Sequence, residues 1–244
     1  PILDAVIAKK PSAILIAPND KTQMIEPLRK ANDAGIAVIC VDTFIGDGVF
    51  QKGSGDVDFP ISYVASDNVL GGRMAARALA KAIGGKGKVY VSNVKPGVST
   101  TDQREQGFKE EMAADFKDVQ VIETQFNDDD ANKAAAQFQA VLGRVPDLAG
   151  VFGANLFSAS GTANGAKQAG VTGKVKLAGF DAPESIVPQL KDGTFELTIA
   201  HHPAEIGYVD FMSAYAHFTG GPGPRRRGHA WQGRRSADCA RREL

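Results

Sequence analysis

Eight short runs rich in β-branched residues recur along the first 200 residues, and segments of helical period separate most of them. The runs lie at 13–17, 36–41, 61–65, 88–92, 119–123, 149–153, 175–180 and 195–200, each about the length of a buried strand. Helical periodicity spans about 22–34, 67–83, 103–116, 131–143, 158–170 and 184–191, with 203–218 after the last strand. No other feature constrains the fold as strongly. Neighbouring parallel strands cannot be joined by a tight turn, so each pair needs a long crossover, and a helix supplies it. Crossovers are right-handed and cover both faces of the sheet. The alternation therefore predicts an α/β chain with doubly wound parallel sheets. Local signals agree with it: Asp67 precedes NVLGGRMAARALAKAIGG, Asp130 precedes ANKAAAQFQAVLG, and Asp181 or Pro183 opens APESIVPQLKDG, each a capping residue or proline where a helix begins.

Composition bears on the ends rather than the body. The 244 residues carry a formal net charge of zero, but the last 24, GPGPRRRGHAWQGRRSADCARREL, hold seven arginines against Asp238 and Glu243. The tail is thus at +5 and the preceding 220 residues at −5. An arginine-rich tail can neutralise phosphates. Too few apolar side chains follow Gly220, however, to offset about 1–2 kcal/mol of ordering entropy per residue, so residues 221–244 are expected to be disordered. No apolar run reaches the roughly 18–20 residues of a membrane span, and residues 1 onward show no signal-peptide pattern, so no targeting segment indicates a compartment. Cys40 and Cys239 make neither a disulfide framework nor a metal set, and Cys40 reads as a small core residue.

Motifs for catalysis fail one by one. GGKGKV at 84–89 precedes a strand and lacks the Ser or Thr of a phosphate-binding loop. NDDDAN at 127–132 lacks the glycine and glutamate of a calcium loop and reads as a helix cap. His201-His202 has no third ligand at metal spacing, and no G-x-S-x-G elbow or acid–base pair stands out. The expectation is a protein that is not an enzyme and uses no cofactor or metal.

In open α/β sheets ligands gather beyond the carboxyl ends of the strands, where loops and helix N-termini converge. Those positions hold Pro18, Asn19, Asp20, Asp42, Thr43, Ser66, Asp67, Asn68, Asn93, Asn155, Asp181, His201 and His202. Acids, amides and imidazoles with few electrophiles suit a neutral polyhydroxy ligand, because a carboxylate accepts from two adjacent hydroxyls while an amide both donates and accepts.

At this point the chain shows a resemblance. The order ILIAPND, IAVICVDT, YVASDNVLGGRMAARALA, KGKVYVSN, GVSTTDQREQGFKEEM, DDDANKAAAQFQAVL, LAGVFGANLFSASGTANGAKQAG and KLAGFDAPESIVPQLKDGTFELTIAHHPAEIGY resembles the type I periplasmic sugar-binding proteins, the ribose-binding-like subunits of ABC importers. The likeness covers about residues 1–220. It implies two lobes joined by a hinge, one built from 1–66 and 202–220 and the other from 67–201, with hinge crossings at Ser66–Asp67 and at His201–His202. The first strand and helix of the first lobe would precede Pro1, and a third crossing would follow Gly220, so the first lobe is expected to be incomplete. Position by position, the resemblance assigns ligand contacts to Asp42, to Arg104 of R-x-x-G-F, to Asn155 after VFxxN, to Asp181 of GFD and to His201. Thr43 stands where many relatives have Arg, which leaves Phe44 to offer its ring, and His201 stands where many have Gln.

The resemblance further implies a sugar or polyol as ligand, captured between the lobes by hinge closure, and the permease of an ABC importer as partner. It implies a monomer with no nucleic-acid partner and no membrane insertion. The expected location is periplasmic, or extracellular and membrane-anchored in a Gram-positive source. The competing reading is the effector-binding core of a sugar-responsive transcriptional repressor, which shares the fold and would carry a DNA-binding headpiece before the core.

Overall fold

Each of the eight strand-like runs forms a strand. A computed structural model of the chain describes residues 2–50, 57–221, 231–232 and 238–241, and these residues divide into two units, each with its own sheet. Unit 1 comprises Pro1–Asp67, Gly97–Thr100 and His202–Ser236, and unit 2 comprises Asn68–Pro96, Thr101–His201 and Ala237–Leu244. The sequence reading has no counterpart for the return of Gly97–Thr100 to unit 1.

In unit 1 the strands β1 (Ala13–Ile16), β2 (Ala37–Val41) and β3 (Ser62–Ala65) pair in parallel, with Ile14 opposite Val38 and Cys40 opposite Tyr63. A core of Ile14, Leu28, Val38, Cys40, Ile45 and Phe59 fills the sheet's contact with α2 (Ile25–Asp33). Leu3, Val6 and Ile7 of α1 (Ile2–Ala8), a helix absent from the sequence expectation, pack against the same core. The last helix of the unit, α8 (Pro203–Thr219), lies along β1, β2 and β3 and buries Ile206, Asp210, Ser213 and Ala214. Those four recur at helical spacing, and a carboxylate sits among them.

Unit 2 shows why doubly wound sheets need continuous apolar strands. Its helices are α3 (Asn68–Ala82), α4 (Ser99–Asp115, of which Ser99 and Thr100 count with unit 1), α5 (Ala131–Arg144), α6 (Leu156–Gln168) and α7 (Val187–Lys191). Its strands are β4 (Gly87–Asn93), β5 (Val119–Phe126), β6 (Leu148–Gly153), β7 (Lys176–Phe180) and β8 (Leu197–Ala200). All of these pair in parallel, in the order β8-β7-β6-β4-β5. Side chains alternate between two cores, as the two-residue period of a strand requires. Val89, Val91, Phe152 and Phe180 join Ala76, Leu79, Phe108 and Met112 of α3 and α4, whereas Tyr90, Val151 and Leu177 join Phe138, Ala163 and Leu190 of α5, α6 and α7.

Two glycines set the approach of α3 to α4. A Cβ on Gly72 would stand 2.0 Å from the Arg104 carbonyl oxygen, and one on Gly107 would stand 2.0 Å from the Val69 carbonyl oxygen. Each helix thus meets the other backbone to backbone, a contact only glycine permits. This crossing fixes where Arg104 emerges.

Within the stretch 221–244, which composition marks as disordered, β9 (Trp231–Gln232) pairs in parallel with β3 and β10 (Asp238–Arg241) pairs antiparallel with β8. The expectation for the remaining positions after Gly221 lies outside the described residues.

Candidate functional site

The two acids that end apolar strands share one backbone device. Asp42, one residue past β2, and Asp181, one residue past β7, both adopt left-handed conformations, with φ of 59° and 73°. In each the amide donates to the next strand, Asp42 N to Val64 O at 2.8 Å and Asp181 N to Ile199 O at 2.9 Å. A non-glycine residue in this region costs about 1–2 kcal/mol. The ladder bond holds each acid there and turns its side chain out of the strand's alternation.

In unit 2 the geometry gathers Arg104, Asp181 and His201. Arg104, only 3% exposed, donates from Nε to Asn68 Oδ1 and from Nη1 to the Ala154 carbonyl, both at 2.9 Å. Its guanidinium carbon lies 3.6 Å from the centroid of the Phe180 ring. Two directed bonds and a stacking face define the plane of the fork, which a lysine cannot reproduce. His201 Nε2 donates to Asp181 Oδ1 at 2.9 Å, and the Leu156 amide donates to Asp181 Oδ2 at 3.0 Å. Burial pushes the Asp181 carboxyl up. The His201 hydrogen bond, the Arg104 and His201 charges and the Leu156 amide outweigh that and hold it below the usual carboxylate range. Asp181 is therefore an ionised acceptor.

Asn155 caps α6, accepting from the Ser158 amide at 3.0 Å, and its Nδ2 donates to Asp129 Oδ1 at 2.6 Å. It stands beside Asp181, because the two residues bond successive parts of the first turn of α6. Beneath them Asn127 donates to Ser92 Oγ at 3.1 Å and to Ser158 Oγ at 2.7 Å, tying β4 to α6 in a fully buried network.

In unit 1 the strand end holds Asp42, Thr43 and Phe44. Asp42 Oδ1 and Thr43 Oγ1 are buried without a hydrogen-bond partner. The Phe44 amide donates to Ser99 Oγ at 3.0 Å, which the return of Gly97–Thr100 supplies. The Phe44 ring meets Tyr63 edge-on at 5.4 Å and lies in the unit's core, leaving it little surface for a ligand. Asp20 Oδ1 accepts from the amides of Thr22 and Gln23, a local cap. Asp67 and Ser66 are the last residues of unit 1 before α3, and His202 occupies the N-cap position of α8 without a side-chain cap bond.

Sequence reasoning placed Asn68 among the strand-end residues without linking it to Arg104, which it and Phe180 orient. It missed Phe180, which adjoins Asp181 in the G-F-D motif, and Asp210, which lies in unit 1 outside the strand-end pattern.

Comparison with known proteins gives consistent results. The family described as "Periplasmic binding protein domain" matches residues 1–222. The chain is 33% identical over 195 residues to a D-ribose/D-allose-binding protein of Pseudomonas aeruginosa, covering 79% of this chain and 58% of that protein. It is 34% identical over 194 residues to the ribose import binding protein RbsB of Salmonella typhimurium, covering 80% and 61%. The chain thus spans about three fifths of the length of these curated relatives. A solved ABC transporter solute-binding protein from Agrobacterium vitis, bound with alpha-D-tagatopyranose, superposes with a TM-score of 0.89 at 68% identity, over 92% of this chain and 75% of that one. Another, from Actinobacillus succinogenes with bound D-allose, gives a TM-score of 0.80 at 29% identity, over 91% and 78%.

Proposed function

The chain belongs to the type I periplasmic sugar-binding proteins, and on that premise we propose that it serves as the solute-binding component of an ABC importer for a sugar or polyol. The observation that carries the reading is the Arg104–Asp181–His201 cluster: a locked guanidinium beside an ionised carboxylate, with an imidazole on that carboxylate. A fork that donates and a carboxylate that accepts match two neighbouring hydroxyls, and charge-assisted bonds are about twice as strong as neutral ones. Asn155 adds an amide at the adjoining helix start; within unit 1, Asp42 and Thr43 are proposed as further ligand-contacting residues. No group in this set supplies a nucleophile with a general base, so the role proposed is binding rather than catalysis.

The 68% identity to a protein holding tagatopyranose makes a ketohexose the first candidate ligand, with D-ribose and D-allose next. A ligand that makes better contacts in one conformer of the protein shifts the conformational equilibrium toward it. The importer's permease is the proposed partner and reads that conformer. The proposed place of action is the periplasm or the outer surface of the cell, and the proposed state is a monomer.

Calorimetry of the full chain with D-tagatose, D-ribose, D-allose and a set of polyols tests this. Saturable binding of one of them, lost in Asp181→Ala, is the expected result. Heat-free titrations across the whole set overturn the reading.

A further inference from the structure

Asp129, between β5 and α5, holds a backbone conformation that residues other than glycine seldom take. It and Asp128 both lie in the left-handed region, with φ of 66° and 56°, and such a pair persists only where its surroundings hold it. The Asp128 amide donates to the Val94 carbonyl at 2.8 Å, and the Asp129 amide donates to Asn127 Oδ1 at 2.9 Å. So held, the Asp129 carboxylate reaches the start of α6, where its Oδ1 accepts from Asn155 Nδ2 at 2.6 Å. Asn127 donates to Ser158 Oγ at 2.7 Å, and the Ser158 amide donates to Asn155 Oδ1 at 3.0 Å. Four residues thus close a ring of hydrogen bonds, and two of them, Asn127 and Ser158, are fully buried.

The ring decides how Asn155 can act. Its Oδ1 is engaged as the cap of α6, which settles the side in which the amide nitrogen lies. Of the two N–H groups on that nitrogen, one is given to Asp129. The other is left to donate, and its direction is set, because a planar amide bonded through both its oxygen and its nitrogen cannot turn about its own torsions. Asp181 accepts from the Leu156 amide in the same helix turn, so this donor stands beside an ionised acceptor. We propose that Asp129 is a positioning residue for ligand binding: it locks the Asn155 amide so that one N–H is presented, already oriented, next to Asp181. The inference deepens the sugar-binding reading and rests on it for the role of Asn155. Without the lock, part of the affinity is lost to ordering the amide when ligand arrives.

Asp129→Gly isolates the carboxylate, because glycine is at ease at a φ of 66° and the turn keeps its shape. Calorimetry of the full chain with D-tagatose, D-ribose and D-allose is expected to show about a fivefold loss of affinity for whichever sugar binds, the factor that one hydrogen bond of ordinary net strength carries. Asn155→Ala is expected to lose at least as much. Adding Asp129→Gly to Asn155→Ala should change affinity by less than about twofold, since a residue acting through another has no effect once that other is gone. Unaltered binding in Asp129→Gly overturns the proposal, and so does a double variant that loses the product of both factors. Asp129→Asn, which tolerates the left-handed backbone and keeps an acceptor, should recover part of the loss; recovery of none overturns the lock. A second readout needs no ligand. In nitrogen–proton correlation spectra the side-chain amide pair of Asn155, identified by its absence from Asn155→Ala, should shift and exchange faster with water in Asp129→Gly, and an unmoved pair overturns the proposal. If none of the three sugars binds, the sugar-binding reading fails, while the amide pair still decides whether Asp129 holds Asn155.

Discussion

Replacing Arg104 by lysine keeps a positive charge at a site that is 3% exposed and removes the planar fork that is held there. The guanidinium makes two bonds at 2.9 Å, to Asn68 Oδ1 and the Ala154 carbonyl, and its carbon lies over the Phe180 ring, 3.6 Å from the centroid. Hydrogen bonds to charged groups are worth about 1.5–3 kcal/mol each. An ammonium can restore one of the two, not both at the spacing of a planar fork. A desolvated cation over an aromatic face contributes about 1–2 kcal/mol, part of which lysine retains. The net loss is therefore about 3 kcal/mol in the stability of unit 2, before any ligand is added. Urea denaturation followed by a probe in unit 2 measures it, and calorimetry with D-tagatose reads the accompanying loss of binding. A change below about 0.5 kcal/mol in both would refute the reasoning, because it is the size expected when a surface arginine is replaced.

Gly72→Ala places a methyl 2.0 Å from the Arg104 carbonyl oxygen and must part α3 from α4, so thermal denaturation should show a loss of about 3 kcal/mol. Gly143→Ala, inside α5 with nothing within 4 Å of the new Cβ, should instead gain about 0.5–1 kcal/mol in the same assay. Asn127→Ala strands the hydroxyls of Ser92 and Ser158, and a loss of about 3 kcal/mol is expected from unfolding curves. Asp181 has a depressed carboxyl, with burial opposed by His201, Arg104 and the Leu156 amide. The folded chain therefore binds fewer protons there than the unfolded one. The stabilisation is present above the unfolded value of about 4 and is lost as pH falls through the folded value, so Asp181→Asn should flatten the acid limb of a stability–pH curve. Asp210 has the opposite sign: its contribution is complete below about 4 and is lost as pH rises through about 7.

Strand and helix order was legible in the sequence because it rests on local chemistry. Apolar runs of strand length, helical periods between them and the cap at Asp130, which accepts from the Asn132 and Lys133 amides, each act within a few residues. Strand-end acids followed from the same reasoning, since a doubly wound sheet exposes those ends. What tertiary structure alone decided involves groups far apart in sequence. Arg104 acquires its plane from Asn68, 36 residues earlier, and from Ala154, 50 residues later. Phe44 resembled a ligand platform beside Asp42, but its ring completes a core with Tyr63. Asp210 falls at helical spacing with Ile206, Ser213 and Ala214, but the sequence does not say which face of the helix is buried. Only the packing of α8 on β1, β2 and β3 turned that residue inward and removed its water, because desolvation belongs to the assembled surroundings of a group and not to its place in the chain.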